Sequence, residues 1–213
     1  MGGGGRAVAL CALLLAGVHL LGCADATRYV GVGLNEKAFI IEGVPSIRQG
    51  PELSCGPACL ASVAVYWTHE IPPNLCEALA PYQKNDTSAT ELCAAAKTAG
   101  LDAFAFCGTL EDLEINVRKG RPVIVMAYCG AIAEPAISPP YYPTIKRLLY
   151  DLWPPKHWTV VIGTVGDDWF VIQDPAAGRY QVRKDRLLSG WRRNNCAMVL
   201  LAPRAEQASV PGS

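Results

Sequence analysis

Leu60, Val63, Ala64 and Trp67 recur at three- and four-residue steps, which predicts a helix from Cys55 to Trp67. Pro57 suits its first turn, where a missing N–H costs nothing. A second, short helix starts near Pro73-Asn74 and carries Leu75, Leu79 and Ala80. Ser88-Ala89-Thr90-Glu91 forms a capping box ahead of Leu92, Ala95 and Ala96, and Gly100 ends that helix. Leu101–Cys107 reads as a strand, and Leu110–Lys119 as an amphipathic helix opened by Thr109 and stopped by Gly120. Beyond Pro122 the pattern turns to strands: Pro122–Tyr128, His157–Val165, Trp169–Gln173, Tyr180–Val182 and Cys196–Leu201. Gly166-Asp167 is a tight turn between two of them. Tyr29–Val32 and Ala38–Ile41 read as short strands near the start. Helices first and mostly antiparallel strands after define an α+β class. No internal repeat is visible.

Residues 130–156 break this order. They are Pro-rich, carry Tyr141, Tyr142, Tyr150 and Trp153, and hold one short helix from about Thr144 to Leu152. So long an excursion between strands is functional or disordered. The first 22 residues also stand apart from the fold. Arg6 precedes the apolar run Ala7–Leu21, the pattern of an export signal. The run closes on Leu20-Leu21-Gly22-Cys23, which resembles a bacterial lipobox with Cys23 as the lipidated residue. The alternative is an ordinary secretory signal cut near Gly22 or Ala24. Acyl chains on Cys23 would anchor the chain to a membrane. Ala24 in place of Asp directs such lipoproteins to the outer membrane, facing the periplasm.

Composition narrows the function classes. The chain is 51% apolar and 18% charged, which excludes a disordered polymer. Removing residues 1–22 takes one of the 19 basic residues and leaves the 19 acidic ones. So balanced a charge argues against a nucleic-acid binder, which needs a basic face. Eight cysteines follow the signal, at 23, 55, 59, 76, 93, 107, 129 and 196. An exported chain can pair them. With Cys23 and Cys55 set aside, six remain, and the sequence does not choose among their pairings. The absence of any CxxC pair argues against a structural zinc site. Cys107 and Cys129 lie in apolar strand-like runs and read as single buried residues.

The stretch that carries chemistry is Gln49-Gly50-Pro51-Glu52-Leu53-Ser54-Cys55-Gly56-Pro57-Ala58-Cys59. It puts a cysteine at the mouth of a helix, where unpaired N–H groups and the dipole stabilise a thiolate. The same N–H groups can donate to an oxyanion, and Gly56 keeps the approach open. A Gln49 folded back beside Cys55 would add a side-chain donor. A thiolate needs a base, and His69 and His157 are the two histidines left after the signal. His69 lies at the far end of the Cys55 helix, roughly 20 Å away, and reads as a capping or surface residue. His157 begins a strand. A Gly166-Asp167 turn pairs Val165 with Asp168 and Thr159 with Asp174. Asp174 then shares a face with His157, one diagonal step of roughly 7–8 Å away. Each residue has an ordinary structural role when taken alone; together they make a site. Cys59, one turn after Cys55, reads as core filler that could condense with an oxidised Cys55.

Gln49-x5-Cys55-Gly-Pro-Ala-Cys-Leu-Ala, His157-Trp-Thr-Val-Val-Ile-Gly and Ile172-Gln-Asp174-Pro-Ala-x-Gly178, in that order, closely resemble the C39 peptidases. These are papain-like cysteine peptidases best known as the leader-removing domains of bacteriocin exporters. The resemblance spans about residues 44–182. It implies a papain-like fold, with N-terminal helices packed on a small antiparallel sheet. It also implies Cys55 as nucleophile, His157 as general base and acid, Asp174 as its orienter and Gln49 as oxyanion donor. The expected organisation is a signal peptide (1–22), a lead-in (23–43), a peptidase domain (44–202, with 130–156 inserted) and a flexible tail (203–213). The chain reads as exported and without a transporter segment, so double-glycine leader cleavage is not carried over. The expectation is a stand-alone peptidase of the cell envelope acting on an unknown peptide or protein. Tyr141, Tyr142 and Trp153 of the insertion either contact that substrate or pack the insertion onto the body. Competing readings are an acyl transferase of phytochelatin-synthase-like type, a non-catalytic peptide-binding lipoprotein and a disulfide-stapled structural lipoprotein. No metal or organic cofactor is implied.

Overall fold

The computed structural model describes residues 38–50, 54–82, 87–128 and 156–204. The export signal, Cys23, the 29–32 strand, Cys129 and the aromatic residues Tyr141, Tyr142 and Trp153 lie outside the described residues, as does the 144–152 helix. The elements run β1 (Ala38–Ile40), α1 (Cys55–Thr68), α2 (Leu75–Leu79), a 3-10 turn (Ala80–Tyr82), α3 (Ala89–Thr98), β2 (Leu101–Cys107) and α4 (Leu110–Arg118). Then follow β3 (Val123–Tyr128), β4 (Lys156–Val165), β5 (Trp169–Asp174), β6 (Gly178–Arg183), α5 (Lys184–Arg192) and β7 (Ala197–Pro203). One antiparallel sheet runs β2-β7-β3-β4-β5-β6, and β1 pairs with the far half of β4. The α+β class is as read from the sequence.

Local chemistry explains the helix boundaries. Ser88 accepts from the Glu91 N–H while the Glu91 carboxylate takes the Ser88 N–H, a complete capping box on α3. Thr109 and Asp112 do the same for α4. Gly100 and Gly120 follow those helices in the left-handed region, at φ 86° and 71°. At the end of α1, His69 is left-handed at φ 59° and its N–H caps Val65, so it is a capping residue far from the sheet chemistry.

The α1 helix differs from its sequence pattern. Gly56 through Ala64 are all buried, not one stripe of them. The helix is wrapped by β3, β4, β7 and α3, and a helix covered on all sides needs no polar face. The pattern of residues 184–192 also predicts no element. They form α5, which buries Leu187, Gly190 and Trp191 and is fastened by the Trp191 indole N–H on the Ala197 carbonyl (2.8 Å). Cys107, expected to be buried, is exposed. It closes β2, an edge strand whose last four residues all face water.

The register of β4 on β5 decides where the site forms. Val165 pairs with Trp169, so the loop holds three residues, Gly166 to Asp168, and not two. That slip of one residue would send Asp174 to the opposite face from His157, because side chains alternate with period two. A bulge between Val161 and Gly163 takes up the extra residue: Val161 pairs with Ile172 and Val160 with Gln173. Continuing that ladder sets Thr159 opposite Asp174, as the shorter turn had predicted. Gly163 is required beside the bulge, since a Cβ there would lie 2.5 Å from the Phe39 carbonyl oxygen and 3.1 Å from the Ile40 Cα.

Candidate active site

Near the site, β4 runs past the end of β5. Lys156 to Val161 pair with β3, whereas the β5 pairing begins only at Val160. The first turn of α1 docks on this stretch, on the side that β5 leaves open. The Trp158 backbone N–H donates to the Cys55 sulfur, as does the Gly56 N–H. Gly56 makes the approach possible in a different way from that expected. Its Cα hydrogens face Trp158, Thr87 and Leu92, where a Cβ would lie 3.0, 3.2 and 3.4 Å from side-chain atoms. It is a packing glycine that lets the helix mouth close on β4. The Trp158 indole is itself held by the Thr87 carbonyl (2.7 Å).

His157 is buried at the start of β4, and its Nε2 lies 2.9 Å from Asp174 Oδ2. The ring is also hydrogen-bonded to Cys55. His157 therefore bonds both the thiol and the carboxylate. Asp174 is buried too and is saturated with donors. Its Oδ2 also accepts from the Tyr180 hydroxyl (3.2 Å), and its Oδ1 takes the backbone N–H groups of Ala176 (2.7 Å) and Ala177 (3.0 Å). Tyr180 was missed in the sequence. Its signal lies in the register: Gly178 pairs with Asp174, so Tyr180 two residues later shares the Asp174 face of the sheet.

The electrostatics follow from these contacts. Burial pushes the Cys55 thiol up, but the hydrogen bond and charge of His157 and the Trp158 and Gly56 N–H groups outweigh it and hold the thiol below its ordinary range. Burial works against a charged His157, yet its bonds to Asp174 and Cys55 push it up to about 10. Burial also opposes an ionised Asp174, and the His157 bond and charge with the two backbone donors hold it low. The arrangement favours thiolate, imidazolium and carboxylate together. Cys59 is the contrast. It is fully buried, and burial followed by the Cys55 and Asp174 charges pushes it well above the ordinary thiol range, which keeps it neutral. It is core filler.

Gln49 is exposed, on the segment leading into α1. Its backbone N–H donates to the Pro175 carbonyl (3.0 Å), one residue past Asp174. Arg48 fastens the same turn through the Ala176 carbonyl (3.0 Å) and lies over Gly178, where a Cβ would meet its guanidinium at 3.0 Å. Deeper in, the Gln173 side-chain amide donates to the Pro45 carbonyl and its oxygen accepts from Arg179 (3.1 Å). Three contacts thus tie the loop before Cys55 to the turn that carries Asp174. Among the described residues, no group of three His, Cys, Asp or Glu side chains could hold a metal ion.

A buried imidazole meets a thiol at a helix mouth and a strand-borne carboxylate on this helix-and-sheet frame, and the fold is papain-like. Residues 43–130 match the Peptidase C39 family, a span that includes Cys55 and ends before His157. Among solved structures, a putative C39-like peptidase from Bacillus anthracis is 18% identical. It covers 79% of this chain and 99% of its own, with a TM-score of 0.57. A double glycine motif protease from an AMS/PCAT transporter, solved in complex with the leader peptide, is 21% identical over 76% of this chain and 92% of its own (TM-score 0.52). No curated protein matches the chain. The family match over part of the chain and the shared fold make the chain similar to C39 peptidase domains, and they support a peptidase function.

Proposed function

We propose that the chain is a thiol peptidase that hydrolyses an amide bond in a peptide or protein through Cys55, His157 and Asp174. The observation that carries this reading is a buried His157 bonded both to Cys55 and to Asp174 Oδ2. The Cys55 thiolate attacks the amide carbonyl, forming a tetrahedral oxyanion. The Cys55 backbone N–H at the helix mouth and the Gln49 side-chain amide donate to that oxyanion. His157 gives its proton to the leaving amine, and a thioester remains on Cys55. His157 then takes a proton from water, which attacks the thioester and releases the acid. Asp174 keeps the ring turned toward the sulfur and stabilises its positive form. A peptide substrate is supported by the leader peptide bound to the double glycine motif protease of the same fold.

We place this activity outside the inner membrane, with the chain anchored through lipid on Cys23. The support is the Arg6 to Cys23 pattern. Tyr141, Tyr142 and Trp153 are proposed to contact the substrate. Metabolic labelling with an alkynyl fatty acid tests the anchor: label and membrane association are expected in the natural chain and lost in Cys23→Ala. A labelled Cys23→Ala chain would refute it. For the chemistry, purified mature chain is incubated with a diverse peptide mixture and new termini are read by mass spectrometry. Cleavage by the natural chain and none by Cys55→Ala is expected. Equal product patterns from the two would rule the peptidase out.

A further inference from the structure

Cys107 and Cys196 lie outside the Cys55 site, and none of the chemistry above uses them. Cys107 ends β2 and is exposed; Cys196 immediately precedes β7 and is half-buried. The β2–β7 ladder sets Cys107 opposite Ala197, and at the next rung the Gly108 N–H donates to the Cys196 carbonyl (3.0 Å). Opposed Cα atoms in such a ladder are about 4.5–5.5 Å apart and consecutive ones about 3.8 Å, which puts the two cysteine Cα atoms roughly 6 Å from each other. That lies inside the span of about 4.4–6.8 Å that a disulfide bridges.

Regular alternation would send the two Cβ atoms to opposite faces. Cys196 leaves that alternation. It is left-handed at φ 50°, directly after Asn195 at φ 53°. Asn tolerates that region; a cysteine is uncommon there. Burial pushes the Cys196 thiol up, Arg192 opposes this, and Cys107 adds to it.

We propose that Cys107 and Cys196 are a redox pair that closes into a disulfide, fastening edge strand β2 to the start of β7. The oxidant is another disulfide. The Cys107 thiolate attacks one of its sulfurs, forms a mixed disulfide and expels one thiolate. Cys196, deprotonated in turn, attacks the Cys107 sulfur and expels the second. The pair loses two electrons and two protons, and the oxidant becomes two thiols. The bond pins the open edge of the sheet, where Phe104 is 60% and Phe106 40% exposed and a frayed strand would invite edge-to-edge association.

The test uses the full chain carrying Cys55→Ser, so that the reactive thiol does not scramble the result; it is independent of peptidase activity. The protein is incubated with glutathione disulfide, alkylated and digested without reductant. A Cys107–Cys196 cross-linked peptide is expected as the main product. The oxidised protein should unfold at a higher temperature than Cys107→Ser, a difference that dithiothreitol abolishes. In Cys196→Ser, Cys107 should stop at the glutathione adduct. Recovery of both cysteines as separate alkylated or glutathione-bound residues in the Cys196-containing chain overturns the proposal, as does a cross-link of either to another cysteine.

Discussion

Asp174 holds four hydrogen bonds on two oxygens, and each has a separate consequence. Asp174→Asn keeps the size but puts an N–H₂ group where Nε2–H must be accepted, or surrenders the turn donors. The His157 ring then loses its orientation, and peptide cleavage is expected to fall by about 10³–10⁴, measured as kcat/KM. Tyr180→Phe removes one donor from a buried carboxylate and leaves the His157 bond in place. A loss of about 1–2 kcal/mol in denaturant unfolding is expected, with Cys55 still reactive. Asp174 is held below its ordinary range, so it stabilises the fold above the unfolded value near about 3.9, and that contribution disappears as pH falls through the lower folded value. A melting-temperature series between pH 6 and 2 should be flatter in Asp174→Asn than in the natural chain. At this scale the sequence was informative where residues are chemically distinctive. A cysteine before a helix, a histidine opening a strand and an aspartate before proline each announce a role. A tyrosine in a strand announces nothing, and Tyr180 became visible only through its register against Asp174. Cys107 was misjudged because an apolar neighbourhood in sequence does not tell an edge strand from a central one.

The elements that bring these residues together depend on two glycines. At Gly163 an added methyl meets backbone, the Phe39 carbonyl and the Ile40 Cα, so β1 must give way beside the bulge. Gly163→Ala is expected to cost about 1–3 kcal/mol in chemical unfolding, typical of overpacking. At Gly56 the methyl meets side chains, Trp158 and Thr87, that can shift by a few tenths of an ångström. Gly56→Ala should therefore cost less stability than Gly163→Ala but move the helix mouth off Trp158, slowing Cys55 alkylation more than it lowers the unfolding midpoint. The capping boxes at Ser88 and Thr109 made α3 and α4 legible from sequence, since a paired side-chain signature marks each start. The turn after Val165 and the bulge at Ile162 were not legible, because a bulge is a backbone irregularity with no fixed residue code. Their errors cancel, which is why the face of Asp174 was read correctly from a turn of the wrong length. The α5 helix escaped because its apolar positions, Leu187, Leu188 and Trp191, are few and Gly190 interrupts them.

For the whole molecule, the fold works as a clamp. The sheet supplies His157 and Asp174 from adjacent strands, α1 supplies Cys55, and the Arg48, Gln49 and Gln173 contacts keep the loop before α1 on the Asp174 turn. Among the described residues, no helix is long and apolar enough to cross a membrane. The clamp holds a thiolate–imidazolium pair over the interval between a lowered Cys55 and a His157 raised to about 10. Peptide cleavage should follow a bell-shaped pH profile, its acid limb below the ordinary thiol range and its alkaline limb near His157 deprotonation. The most direct measurement is the alkylation rate of Cys55 by iodoacetamide as a function of pH, with the labelled residue mapped in the natural chain and in His157→Ala. Fast, selective labelling already well below pH 8 is expected in the natural chain, and slow labelling that rises only with an ordinary thiol, about pH 8.5, in the variant. Identical curves for the two chains, both rising like a free thiol, would contradict the thiolate–imidazolium pair.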